Sequence, residues 1–137
     1  MNEPSTFTWP VRVYYEDTDA GGVVYHCNYL RFCERARTEW LRSLGFDQSA
    51  LRAQHGVLFV IRSAALDYLR PAVFDDELQV LVRIVKVGRC SFEFAQEIWR
   101  NEEKLLTARI LVVCVSDPGF KPASIPEPIK IKIQEFQ

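Results

Sequence analysis

The chain has 137 residues, 48% of them hydrophobic and 26% charged. That is the length and composition of one ordinary soluble domain, read as 1-137, able to bury a core of its own. A formal net charge of −1 gives no bulk attraction to nucleic acid or to an anionic membrane, although a local basic patch can still meet a phosphate-bearing ligand. There is no apolar run of the ~18 residues that a membrane span needs.

Cys27, Cys33, Cys90 and Cys114 show no C-x-x-C spacing, and the chain begins without the basic, apolar and small-residue succession of a secretory signal. The expectation is a reduced, cytoplasmic protein whose thiols fill core space.

Met1 to Thr8 reads as polar and mobile, and Trp9 to Tyr15 alternates as a first strand whose Pro10 places its start at an edge. An acidic, glycine-containing loop follows. A helix then begins between His26 and Asn28, with Asn28 a candidate N-cap, and runs to Leu44 with Gly45 as its C′ residue. Tyr29, Phe32, Cys33, Ala36, Trp40 and Leu44 form one apolar stripe, widened by Leu30 and Leu41. Arg31, Glu34, Arg35, Arg37, Glu39 and Arg42 read as a solvated face, with Arg35 and Glu39 placed as a surface pair.

Phe46 to Gly56 reads as a short second helix or turn, capped by Asp47 and ended by Gly56. Four runs of period two follow: Val57 to Leu69, Glu77 to Val87, Cys90 to Arg100 and Leu105 to Ser116. Leu78, Val80, Val82 and Ile84 share one face of the second, and Leu106, Ala108, Ile110, Val112 and Cys114 one face of the fourth. The short connections imply antiparallel pairing of successive strands. The tail from Ile129 to Phe136 reads as an edge strand or a short helix. One long helix and about five strands pack economically as an α+β domain, a curved antiparallel sheet wrapped around the helix. Apolar residues on the other face, Leu105, Leu111, Val113 and Val115, favour association with another copy.

The loop Glu16-Asp17-Thr18-Asp19-Ala20-Gly21-Gly22-Val23-Val24-Tyr25-His26 brings carboxylates, paired glycines and a histidine to the start of the helix. A helix N-terminus offers unpaired N–H donors and a partial positive charge, so this combination can hold a carbonyl oxygen beside a reactive carboxylate. Chemistry alone does not choose between Asp17 and Asp19. Either can instead cap backbone amides.

The segment Tyr15 to Tyr29 resembles the signature of the hotdog-fold acyl-CoA thioesterases of the 4-hydroxybenzoyl-CoA thioesterase type, and more closely their YbgC-like branch associated with the Tol-Pal system. Asp67-Tyr68-Leu69-Arg70-Pro71-Ala72 with Asp75-Asp76-Glu77-Leu78, and Gly88-Arg89-Cys90-Ser91-Phe92, support it, so that the similarity spans about residues 9 to 116. The resemblance implies a hotdog fold, a homodimer or homotetramer, and hydrolysis of acyl-CoA thioesters with no metal and no cofactor, coenzyme A being part of the substrate. It assigns Asp19 as the catalytic aspartate and His26 as the position whose main-chain N–H polarises the thioester carbonyl.

A thioester has a good leaving group, so it requires a nucleophile or activated water and a place for the developing negative oxygen. Asp19 can serve as nucleophile or as general base, and Gly21 and Gly22 let the backbone approach the substrate. Gly22, Val23 and Tyr25 line the expected substrate site, and Arg89 and Ser91, with Lys86, form a small basic cluster for the coenzyme's phosphates. His55 reads as structural, and Glu34 as a surface charge. Two rival readings are a hotdog hydratase or dehydratase and a non-catalytic scaffold binding acyl carrier protein. An Asp19 carboxylate locked in its own backbone turn, with no cleft beside it, would count against hydrolysis.

Overall fold

The computed structural model describes residues 5–137. Its elements are β1 (Phe7–Arg12), α1 (Asn28–Ser43), α2 (Gln48–His55), β2 (Val57–Tyr68), β3 (Glu77–Val87), β4 (Ser91–Arg100), β5 (Glu103–Ser116) and α3 (Glu127–Phe136). The five strands form one antiparallel sheet in the order β1-β3-β4-β5-β2, with β1 at one edge, as Pro10 implies, and β2 at the other. Phe7 and Thr8 belong to β1, so the polar lead-in is shorter than expected, and Tyr15 lies beyond the strand in a 3-10 turn with Glu16 and Asp17. The expected mobility of residues 1–4 falls outside the described residues.

Period-two patterning correctly assigns the faces of β3 and β5: Leu78, Val80, Val82 and Ile84, and Leu106, Ala108, Ile110, Val112 and Cys114, are all buried. Against this face lies α1, burying Tyr29, Phe32, Cys33, Ala36, Trp40 and Leu41. Bulges between Ile61 and Ser63, Ile84 and Lys86, and Ile98 and Trp99 interrupt the ladders. Each bends its strand, which lets the sheet curve around the helix. Asp47 caps α2 by accepting from the Ala50 N–H, and Gly56 ends it in a left-handed conformation.

The pairing of successive strands holds for β3 with β4 and for β4 with β5, but not for β2 with β3. The short 69–76 link instead leaves the β2 edge, donates Leu69 N–H and Arg70 N–H to the Leu105 carbonyl, and crosses to β3 beside the acidic loop. Arg100 holds this link by pairing with Asp76 and with Glu103, while donating to the Pro71 carbonyl. The tail resolves as a helix, α3, whose Ile129 and Ile133 are buried and whose Phe136 packs edge-on to Trp40 at 5.6 Å.

On α1 the expected Arg35–Glu39 surface pair does not form, and one charged residue, Arg37, leaves the expected solvated face. Glu39 pairs with Arg42 at 2.6 Å, and Arg35 lies over the Phe32 ring. Arg37 turns inward to donate to Gln96, a buried side chain of β4 whose amide in turn donates to the Cys33 carbonyl. Burial lowers the pKa of the Arg37 guanidinium.

Candidate active site

The acidic loop is a narrow hairpin. Thr18 bridges Val24, the Asp19 N–H donates to the Val23 carbonyl at 2.9 Å, and the Gly22 N–H closes a turn onto the Asp19 carbonyl at 3.0 Å. Gly22 sits at φ +81, a left-handed backbone that favours glycine. A second bridge, Val23 to Val73, and the Val24 N–H donated to the Ala72 carbonyl pin the hairpin against the 69–76 link. The link therefore supports the acidic loop, a relationship that the sequence motif flags without explaining.

The two aspartates face opposite ways, as a turn rather than an extended segment allows. Asp17 is buried, 5% exposed, and its carboxylate accepts from the Tyr14 N–H and from the side-chain amide of Asn28, both at 2.8 Å. Asp19 is exposed, and one oxygen, Oδ1, accepts from the Gly21 N–H at 2.8 Å. Its Oδ2 takes no hydrogen bond among the described residues. One oxygen is thus held in the carboxylate's own backbone turn, part of the arrangement named above as counting against hydrolysis, while the other has no partner among the described residues.

Asn28 is not an N-cap. It is the first residue of α1, and its side chain reaches back to Asp17, while Cys27 occupies the cap without a side-chain hydrogen bond. Consequently the mouth of α1 keeps its donors: the N–H groups of His26 and Cys27 donate to no backbone carbonyl among the described residues. Such orphan donors, at the positive end of a sixteen-residue helix, are suited to an anionic oxygen. The imidazole of His26 is exposed and packs against Tyr25, ring centroids 4.6 Å apart. Hydrogen bonding to the neighbouring Cys27 thiol raises the Tyr25 phenol pKa above 10.0.

Asp19, Gly22, Val23, Tyr25 and His26 are brought together by this hairpin. Arg89 and Ser91 are not. Arg89 lies in the β3–β4 turn and Ser91 opens β4 just after it, whereas the acidic loop adjoins the opposite end of β3, where Asp75 and Asp76 exchange backbone hydrogen bonds with Val13. An eleven-residue strand separates the two ends, roughly 30 Å. Arg89 donates to Ser124 at 2.9 Å and so serves the turn locally. Strand patterning gave no means of telling which end of the sheet that turn occupies.

A cavity of about 790 Å³ lies along the second half of α1, between that helix, Asp47–Ser49 and Phe59–Ile61, with Trp40, Phe92, Phe94 and Val112 among its lining. Glu34 is exposed at its rim. His55 is an exposed residue at the end of α2, away from the acidic loop. No group of three or more His, Cys, Asp or Glu side chains comes together to hold a metal among the described residues, and no helix among them is long and apolar enough to cross a membrane.

The thioesterase-like superfamily matches residues 13–133, which include the whole hairpin and the helix it opens. The chain belongs to this family. Among thioesterase-like relatives, it is 48% identical over 132 residues to the acyl-CoA thioester hydrolase YbgC of Escherichia coli, covering 96% of each chain. It is 46% identical over 124 residues to the acyl-CoA thioesterase YbgC of Haemophilus influenzae, covering 90% and 91%. The thioesterase-like fold aligns with the crystal structure of a 1,4-dihydroxy-2-naphthoyl-CoA thioesterase from Synechocystis at a TM-score of 0.88, with 30% identity over 95% of this chain and 96% of that one. The architecture is the hotdog fold, a sheet wrapped around one long helix.

Proposed function

We propose that the protein hydrolyses acyl-CoA thioesters, with Asp19 supplying the reactive carboxylate and the main-chain amide of His26 holding the thioester oxygen. What supports this reading is that one braced hairpin carries both a carboxylate oxygen and, where it runs into the helix, N–H groups that have no hydrogen-bond partner among the described residues. The relatives' activity supports it.

As the carbonyl carbon is attacked, its oxygen gains negative charge, and preformed N–H donors stabilise it without reorganisation. Asp19 acts either by taking a proton from water, which then attacks, or by attacking directly to form a mixed anhydride that water opens. Both routes expel coenzyme A thiolate and yield the free acid. Neither requires a metal, and coenzyme A enters as part of the substrate.

We further propose a dimer formed along β2. This strand is an exposed edge, with Ile61 and Tyr68 each 50% exposed and Arg62 to Ala65 open to solvent, a template for another strand. Antiparallel pairing of two copies sets the Tyr68 end of one beside the Val57 end of the other. That arrangement brings the aromatic cavity, and the end of the sheet bearing Arg89 and Ser91, toward the other copy's acidic loop. Asp19 is not among the residues lining the aromatic cavity of its own chain, and this arrangement would bring the other copy's cavity beside it. The four free cysteines suit a reducing, cytoplasmic setting. An acyl carrier protein is the alternative donor of the acyl group.

Release of free thiol from a panel of short, long and aromatic acyl-CoAs, by wild type beside Asp19→Asn, tests the reading. The substitution should lower turnover about 10²–10⁴-fold while the protein stays folded. Wild-type activity in the variant would reject the role of Asp19. Sedimentation of the wild-type protein tests the dimer, which a monomer at assay concentration would reject.

A further inference from the structure

We infer that Asp17 and Asn28 are a positioning pair that sets the Asp19 carboxylate against the His26 amide, an inference that rests on the thioesterase reading above. Both are nearly removed from solvent, 5% and 6% exposed, in a loop whose other polar residues are open. A buried carboxylate is costly unless its oxygens are satisfied, and Asp17 satisfies both with donors from other parts of the loop.

The bonds close a ring. The Tyr25 N–H donates to the Asp17 carbonyl, the Asn28 N–H to the Tyr25 carbonyl, and the Asn28 side-chain amide to Asp17 Oδ1, each at 2.8 Å. The hairpin carrying Asp19 hangs from this ring. Asp19 lies two residues after one member of the pair, and His26 two residues before the other. The two reactive groups belong to opposite limbs of the loop, so their separation is fixed where the limbs are tied. A misplacement of about 1 Å between reacting groups can cost about 10²-fold in rate, which is why this tie bears on turnover as well as on folding.

Asn28→Asp tests the inference, because the change keeps size and shape but sets two carboxylates at hydrogen-bonding distance. Two such groups cannot both remain ionised, so the pair closes only when it shares a proton. In thiol-release assays the variant should show kcat lowered about 10²-fold at about pH 8, KM within a few-fold of wild type, and a deficit that shrinks as pH falls. Wild type should show no such gain on acidification. The double variant Asp17→Asn with Asn28→Asp reverses the polarity: the amide at position 17 accepts from Tyr14 and donates to the carboxylate at position 28. It should recover most of kcat at the higher pH.

A purely structural role would lower the melting temperature without this pH dependence or the rescue. A wild-type kcat and pH profile in Asn28→Asp would overturn the inference, as would a pH-independent deficit that the double variant does not relieve. Should Asn28→Asp fail to fold, Asn28→Ala replaces it, and a folded alanine variant with wild-type kcat overturns the inference equally. Wild type that releases no thiol would instead remove the hydrolase reading itself.

Discussion

The Tyr68 hydroxyl donates a 2.9 Å hydrogen bond to the carbonyl of His26, tying the end of the exposed edge strand to the mouth of the central helix. The peptide unit on the other side of His26 carries the amide proposed to hold the thioester oxygen, so the bond steadies this residue from the β2 side. The Tyr68 ring packs edge-on to Tyr29, ring centroids 5.5 Å apart, and partial desolvation raises its pKa. Tyr68→Phe keeps the ring and removes the bond, which at a partly exposed site contributes about 0.5–1.5 kcal/mol. The expected result is a kcat several-fold lower with a small change in melting temperature, read by thiol release and thermal denaturation.

The paired glycines of the hairpin should respond differently to alanine. At Gly21 an added Cβ would meet Asp19 Oδ1 at 3.2 Å, whereas at Gly22 it meets nothing within 4 Å but sits at φ +81. Gly21→Ala therefore presses on the reactive carboxylate, and Gly22→Ala strains the backbone by about 1–2 kcal/mol. Kinetics should show the larger loss of kcat for Gly21→Ala, and denaturant titration the larger loss of stability for Gly22→Ala. The reverse ranking would place the carboxylate elsewhere.

The same hairpin shows what the sequence made legible. Alternation assigned the buried faces of β3 and β5, and the helical stripe identified the side of α1 that meets them, because periodicity records burial directly. It does not record which strand lies next to which. A short link from β2 to β3 therefore suggested a hairpin, while the chain places these strands three positions apart in the sheet order. For the same reason Arg89 and Ser91 could be tied to the substrate by motif and yet lie at the far end of the chain's own sheet. Asn28 illustrates a different limit. Its residue type and its place just before the stripe fit an N-cap, but a buried Asp17 eleven positions earlier is a stronger partner for its amide, and that encounter is tertiary. Arg37 departs from its expected solvated face because Gln96 offers it an acceptor from β4.

The cysteines divide by burial. Desolvation raises the Cys33 and Cys114 thiols from 9.0 to about 11, whereas Cys27 is exposed at the mouth of α1. At about pH 8, alkylation followed by mass spectrometry should modify Cys27 well before either buried thiol, since the thiolate is the reactive form. A linked effect on stability follows. Well below pH 9.0 the two thiols are protonated in both folded and unfolded chains and contribute no slope, but from about 9.0 to about 11 the unfolded chain has released more of their protons than the folded one. Stability should therefore fall through that interval, joined toward its upper end by Tyr29 and Tyr68, whose pKa values burial also raises. Cys33→Ala should flatten the onset of this fall in urea titrations run at stepped pH.

Trp40 supplies the sharpest test of the core. Its ring is 1% exposed and packs edge-on to Phe94 at 5.1 Å and to Phe136 at 5.6 Å, yet its indole N–H finds no hydrogen-bond partner among the described residues. Two terms then oppose each other on substitution by phenylalanine. Loss of ring area is unfavourable at about 25 cal/mol per Å², but removal of a buried donor without a partner relieves about 1–3 kcal/mol. Trp40→Phe should consequently cost under about 1.5 kcal/mol, the range of well-tolerated core changes. Trp40→Ala forfeits the packing as well and should cost about 3–5 kcal/mol. Because Trp40 also lines the aromatic cavity beside Phe92 and Phe94, the phenylalanine variant offers a folded protein with an altered cavity wall. If that cavity receives the acyl group, the ranking of acyl-CoA chain lengths should shift in this variant while Asp19-dependent chemistry persists. An unchanged ranking, alongside a wild-type melting temperature, would place the acyl group elsewhere.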